Sequence, residues 1–192
     1  MIGLNLVALQ VIIPLIGAPV CTLLGRGNRA WILSTLFTWC AFVIAIALMI
    51  EVRCCGVLSY VMGGWLAPWG IEYRVDHLSA LVLMLVSGVA SVLMPFAYNV
   101  VAKEVPAEQH RLFYTMYLLT FTGLLGITIT GDAFNAFVFM EISSLSAYVL
   151  VAIGRQRRAL YASFQYLILG TIGATFFVLG VGLLYMLTGT LN

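Results

Sequence analysis

Charge is what this chain lacks. Asp, Glu, Lys and Arg make up 8% of its 192 residues, against about a quarter in an ordinary soluble domain, and that scarcity excludes a protein surfaced by water. Lysine is almost missing, with Lys103 alone. A net charge of +2, spread over single and short groups of basic residues, excludes a nucleic-acid-binding face. Cysteine is sparse too. Cys21, Cys40, Cys54 and Cys55 form neither a CxxC pair nor a Cys/His metal spacing, and the adjacent Cys54 and Cys55 are poorly shaped for an ordinary disulfide. All four are expected to be free thiols, with Cys21 and Cys40, which sit in apolar runs, as small buried hydrophobes. No metal, haem, flavin, iron–sulfur or quinone motif is present, so no cofactor and no redox chemistry are expected of these residues.

What is present is hydrophobic length. Hydrophobic residues reach 63%, and about 20 apolar residues cross the roughly 30 Å hydrocarbon core of a bilayer. Breaks in apolar character give an all-α, polytopic bundle of six membrane helices at about 4–24, 31–50, 77–100, 111–130, 132–153 and 160–187, read as one membrane domain within a lipid bilayer. The first stretch lacks the basic n-region of a cleaved signal peptide and is read as the first helix. Residues 51–76, "EVRCCGVLSYVMGGWLAPWGIEYRVD", suit an interfacial segment with aromatic anchors. Pro14, Pro19 and Pro95 are expected to kink or end their helices. In the sixth helix Gly170 and Ala174, with Gly173, Gly180 and Gly182 nearby, point to close helix contact. The connections after helices one, three and five carry Arg26, Arg29, Lys103, Arg111, Arg155, Arg157 and Arg158, whereas the opposite side carries only Arg53 and Arg74. By the positive-inside rule the odd connections face the cytoplasm and both termini lie outside.

One residue breaks the apolar pattern. Glu141 stands nine residues after Asp132, about 13 Å along a helix and hence near the bilayer midplane. A charge there costs at least ~3 kcal/mol, and such residues usually face a bundle interior and mark an ion or proton path. The competing reading is a neutral glutamate hydrogen-bonded to a neighbouring helix. Ser144 and Tyr148, at i+3 and i+7, share its face, with Phe134, Phe137, Val138 and Leu145 flanking. A carboxylate in hydrocarbon is held neutral and a nearby cation favours its charge, so the protonation of Glu141 depends on a second group. Asp132 and Asp76, at helix starts, read first as caps, Asp132 also as a candidate for the outer mouth of a pathway. His77 is a candidate surface proton carrier. Gln165 with Tyr161, and Thr171 with Thr175, read chiefly as interhelical hydrogen-bond partners and secondarily as water-lining groups.

The segment "TGDAFNAFVFMEISSLSAYVLVAIG" resembles the fourth-to-fifth helix signature of the antiporter-like subunits shared by Mrp cation/proton antiporters, complex I and membrane-bound hydrogenases. "GGWLAPWGIEYRVDHLSALVLMLVSG" and "ASFQYLILGTIGATFFVLGVGLLYMLTGTLN" agree with it. The likeness covers nearly the whole chain and is strongest to the D subunit of Mrp antiporters, with the N subunit of quinone reductases behind. It implies a proton-translocating subunit of a prokaryotic cytoplasmic membrane, with Glu141 in a charged relay and protons, with sodium as a candidate counter-ion, as the transported species. Family members carry partner lysines in later helices, including a broken seventh, within two inverted five-helix repeats. This chain holds only the first three helices of the first repeat and no intramembrane lysine, so the expectation is a split subunit whose lysines come from another membrane chain, or a truncated product. The alternatives are a membrane subunit of a complex I-like or hydrogenase-like enzyme, and a non-conducting scaffold.

Overall fold

The computed structural model describes residues 2–24, 28–65 and 69–192, with side chains from residue 5 onward within them; Arg26, one of the residues in the charge count, lies outside that set. Six helices run back and forth: α1 (Ile2–Leu24), α2 (Arg29–Cys55), α3 (His77–Glu104), α4 (His110–Ile129), α5 (Ala133–Ala152) and α6 (Arg157–Thr188). All six are long and apolar enough to cross a membrane. They are apolar on every side, as helices facing lipid and one another must be, and helical backbone satisfies its own hydrogen bonds where no water is available.

Most expected boundaries lie within two residues of the observed ones, and three differ more: residues 51–55 continue α2, α3 runs on to Glu104, and α6 begins three residues early. The all-α bundle carries one addition. Strands β1 (Leu58–Val61) and β2 (Glu72–Val75) pair antiparallel, with Leu58 opposite Val75 and Tyr60 opposite Tyr73. Of the segment read as interfacial, residues 51–55 are helical and the part from Leu58 to Val75 carries the paired strands, with Trp65 and Trp69 70% and 87% exposed, as aromatic anchors at an interface would be. The strands are four residues each and their alternation is short, which hid them beside strong helical signals.

The prolines do not end their helices: Pro14 and Pro19 stand inside α1 and Pro95 inside α3. Helix α4 packs against α1 and α5, α2 against α1 and α3, and α6 against α5. The largest core cluster joins Val7 and Val11 to Leu48, Leu83, Leu125 and Ile129. Cys21 is buried as expected, but Cys40 is exposed. The buried positions of α2 run through Ser34, Thr38, Ala41, Ala45 and Leu48, a stripe with helical spacing that Cys40 falls outside.

Lipid tails are as apolar as leucine, so helices associate in a bilayer through close packing and interhelical hydrogen bonds. The tightest approach is at α4 and α5, where a Cβ at Gly123 would strike Phe139 and Ser143 and one at Gly126 the Phe139 ring. On α6, a Cβ at Gly170 would collide with the Tyr148 hydroxyl, whereas Gly173, Gly180 and Gly182 meet nothing. Among the described residues, the Gly170–Ala174 part of the small-residue surface is the part that meets another helix. Gly189, in the left-handed conformation at φ 72°, ends α6 where a residue with Cβ would be strained.

Replacing Gly126 by Leu forces the α4–α5 seam apart and is expected to lower stability by about 1–3 kcal/mol, read as a lower thermal midpoint of the protein in lipid nanodiscs, whereas Gly180→Leu leaves the intrachain seam intact. At the start of α3 the Asp76 carboxylate accepts from the Ser79 N–H at 2.7 Å, which holds its pKa below the ordinary 3.8. Asp76→Ala is expected to lower stability by about 1 kcal/mol at neutral pH. A lowered carboxyl pKa stabilises above its unfolded value, and that stabilisation disappears as pH falls through the folded value. The stability difference between variant and parent therefore closes in acid below pH 4, measurable by unfolding scans across pH.

Candidate functional site

The candidate site is built on α5, and the start of that helix is tied down from three directions. Asp132 caps it, its carboxylate accepting from the Asn135 N–H at 2.6 Å. The Asn135 side chain in turn donates to the Thr130 hydroxyl at 2.9 Å. Thr130 bridges to Tyr73 of β2, and the next residue, Gly131, donates its N–H to the Glu72 carbonyl at 2.8 Å. From the other end of the chain, the Leu191 carbonyl accepts from the Ala133 N–H at 2.8 Å. Tyr73 is buried, with its ring 6.3 Å from Phe139; burial pushes its hydroxyl pKa up, and Asn135 beside it pulls the other way. The turn before α5 is thus held by the hairpin and by the tail of α6 together. Beneath it a cleft of about 400 Å³ is lined by Asp132, Ala136, Val181, Leu184 and Asn192.

Along α5 the side facing α4 is Asn135, Phe139, Ser143 and Ser146, all buried. The side facing α6 is marked by three contacts. Phe137 stacks on Phe177 at 6.3 Å, Tyr148 meets Tyr166 edge-on at 4.7 Å, and the Ser163 hydroxyl donates to the Tyr148 carbonyl at 2.7 Å. Glu141 is one turn beyond Phe137 and two turns before Tyr148, and Phe134, Val138 and Leu145 on its other flank are exposed. At 100° per residue this sets Glu141 on the margin of the α5–α6 seam, away from α4. It is half-buried. The side-chain bonds of α5 run through Asp132, Asn135 and the Tyr148 carbonyl, and among the described residues none reaches the Glu141 carboxylate.

Of the residues singled out beforehand, Ser144 and Tyr148 do follow Glu141 along α5, and the buried Tyr148 turns its hydroxyl toward Gly170. Asp132 is a cap, as expected. His77 is exposed at the first turn of α3 and Gln165 is exposed on α6, donating to Tyr161 of its own helix at 3.0 Å; neither is brought to Glu141. Thr171 and Thr175 bond back to carbonyls of α6, so among the described residues these α6 side chains make no interhelical bond. Their helix is exposed at those positions, and a hydroxyl in lipid takes the carbonyl four residues behind it. Asn135, given no role beforehand, links the Thr130 turn to α5. Its signal was its position three residues after a capping Asp. Among the described residues no group of three His, Cys, Asp or Glu side chains gathers to hold a metal.

Comparison with known proteins narrows this membrane bundle to a class. Residues 130–192, the segment holding Asp132 and Glu141, match the family described as NADH:quinone oxidoreductase/Mrp antiporter, TM. The chain is 41% identical over 198 residues to the N subunit of the NADH-quinone oxidoreductase of Desulforudis audaxviator, covering 98% of this chain and 38% of that protein. It is 30% identical to the D subunit of the Na(+)/H(+) antiporter of Alkalihalophilus pseudofirmus, with the same two coverages. Among solved structures, the membrane-bound sulfane sulfur reductase, an archaeal respiratory membrane complex, aligns with a TM-score of 0.87 at 35% identity over 97% of this chain and 38% of the other. The Mrp complex of a Dietzia species aligns with a TM-score of 0.88 at 27% identity, covering all of this chain and 36% of that one. The class is that of antiporter-like membrane subunits. In particular, residues 130–192 match the family shared by these proteins, and the chain as a whole is similar to the D subunit of Mrp antiporters and the N subunit of quinone oxidoreductases, spanning 38% of the length of those relatives. Identity runs higher to the quinone-oxidoreductase relative than to the antiporter one.

Removing the Asn135 side chain cuts the link from α5 to the Thr130 turn. Asn135→Ala is expected to lower stability by about 1 kcal/mol and to raise amide hydrogen exchange at Thr130–Ala133 and in β2 more than at the far end of α5.

Proposed function

We propose that this chain forms part of a proton-translocating subunit in a multisubunit Mrp-type cation/proton antiporter or a related respiratory complex, with Glu141 as the group that takes up and passes on protons. The observation that carries this reading is the setting of Glu141: near mid-depth, half-buried at the margin of the α5–α6 seam, with no side-chain partner among the described residues. A carboxylate kept in hydrocarbon at a cost of ~3 kcal/mol or more is a functional residue by default. In its neutral form it tolerates lipid depth. A cation brought close stabilises the charged form and releases the proton. The lysine of another membrane protein chain, approaching along the open flank of Phe134, Val138 and Leu145, fits that role. Ser144 and Tyr148 continue the polar line along the helix, and Asp132 stands at the cleft at its start.

A second reading, supported by the 41% identity to a quinone-oxidoreductase relative, is a membrane component of a redox-driven complex, in which the same glutamate moves protons while electrons travel through other subunits. Both readings put the chain in a prokaryotic cytoplasmic membrane with the hairpin and both termini outside.

Replacing Glu141 by Gln in the intact complex is expected to lower proton movement into vesicles at least tenfold with assembly unchanged, and Glu141→Asp to keep part of it. Unchanged proton movement in Glu141→Gln would leave the chain a scaffold. Coupling to an electron donor, with copurifying iron–sulfur subunits, distinguishes the second reading. For orientation, the exposed Cys54 and Cys55 beside the hairpin are expected to react with a membrane-impermeant maleimide added to intact spheroplasts; labelling only after permeabilisation reverses the topology.

A further inference from the structure

Gln10 lies in the middle of α1 and is wholly buried, at 0% exposure. Neither its Nε2 nor its Oε1 has a hydrogen-bond partner among the described residues. Its neighbours on the helix face, Val7 and Val11, belong to one apolar cluster with Ala41, Ile44 and Ala45 of α2 and Leu125 and Ile129 of α4. An amide buried without a partner costs about 1–3 kcal/mol.

A second polar group at the same residue loses its ordinary partner. The carbonyl of Gln10 would ordinarily accept from the N–H four residues on, and that residue is Pro14, which has no N–H to give. No side chain among the described residues donates to it. At Pro95 the freed carbonyl belongs to Ser91, whose buried hydroxyl is itself satisfied, donating to the Ser87 carbonyl at 2.7 Å, so no unpartnered side chain stands beside that break. At Pro19 the freed carbonyl belongs to Leu15, on the exposed side of α1.

We infer that Gln10 and the carbonyl freed by Pro14 together bind an ordered water molecule inside the α1–α2–α4 core. The chemistry selects the occupant. The site offers a donor in Nε2 and acceptors in Oε1 and the backbone oxygen, which is the mixed set that one water satisfies with about three bonds. A metal cation would be repelled by the amide N–H. Because the chain itself already encloses Gln10 completely, another subunit cannot reach it. Proline breaks in membrane helices are commonly repaired in this way. The first helix is thus hydrated at mid-depth, with α4 between this site and the side of α5 that carries Glu141.

The test uses the assembled complex. A high-resolution map is expected to show solvent density about 2.7–3.2 Å from the Gln10 amide and from the Gln10 carbonyl. Gln10→Leu keeps the volume but removes the side-chain anchors, and it is expected to lower the thermal midpoint by about 2–4 °C. Adding Pro14→Ala, which restores the missing N–H, is expected to return that loss. The inference is overturned by a dry site, by a Gln10 side chain turned onto a protein group, or by a Gln10→Leu complex as stable as the parent, since removing a dry, unpartnered amide costs nothing.

Discussion

Hydrocarbon offers no hydrogen bonds, and nearly every polar choice in this protein follows from that. The buried hydroxyls bend back on their own helices: Ser34 to Ala30, Thr38 to Ser34, Ser87 to Leu83 and Thr122 to Leu118, at 2.6–2.8 Å. Contacts between helices then rest on shape, with glycine on α4 receiving the rings and backbone of α5, and on a few side-chain bonds such as Thr22 to Thr115, Trp31 to the Met94 carbonyl and Ser163 to the Tyr148 carbonyl. A chain under this constraint can keep a polar group unsatisfied only where something else arrives to satisfy it. Two residues, Gln10 and Glu141, stand out for that reason. One is sealed inside and suits a water; the other sits at an open margin and suits a neighbour.

The same constraint explains why the exposed side of the bundle is not a surface in the ordinary sense. Phe164, Phe176, Leu183 and Met186 on α6 are largely uncovered, and α6 packs here against α5. In a bilayer such a face meets lipid or other helices without penalty, so apolar exposure alone does not separate the two. The polar residue on its edge, Glu141, is the position where the identity of the neighbour matters most, since hydrocarbon offers a carboxyl group no partner.

The helices were legible from hydropathy because apolar runs of this length admit few alternatives, and the two aspartates were legible as caps from their positions. Glu141 was legible as an anomaly of depth. The GDAFNAFVFME stretch tied it to a family, and residues 130–192, which hold that stretch, match the model of that family. The hairpin was not legible, since four-residue strands in a Gly- and Trp-rich connection carry little periodicity. The fate of Cys40 turned on which side of α2 faces α3, and a helix that is apolar all round does not announce its buried stripe. Gln10 carries no sequence signal of its own; its isolation depends on what α2 and α4 place opposite it, which only the packed structure contains. The α6 hydroxyls and Gln165 are satisfied within their helix, an option that spacing alone does not distinguish from an interhelical bond.

The knot of bonds at the start of α5 has a mechanical meaning. Glu72, Thr130, Asp132 and Leu191, far apart in the chain, converge within one turn of Ala133, while near the other end the seam with α6 is held by the Ser163 hydroxyl and the Tyr148 ring. A helix pinned at both ends carries Glu141, about 13 Å from Asp132 along its axis, as a fixed post: whatever meets that carboxylate has to come to it.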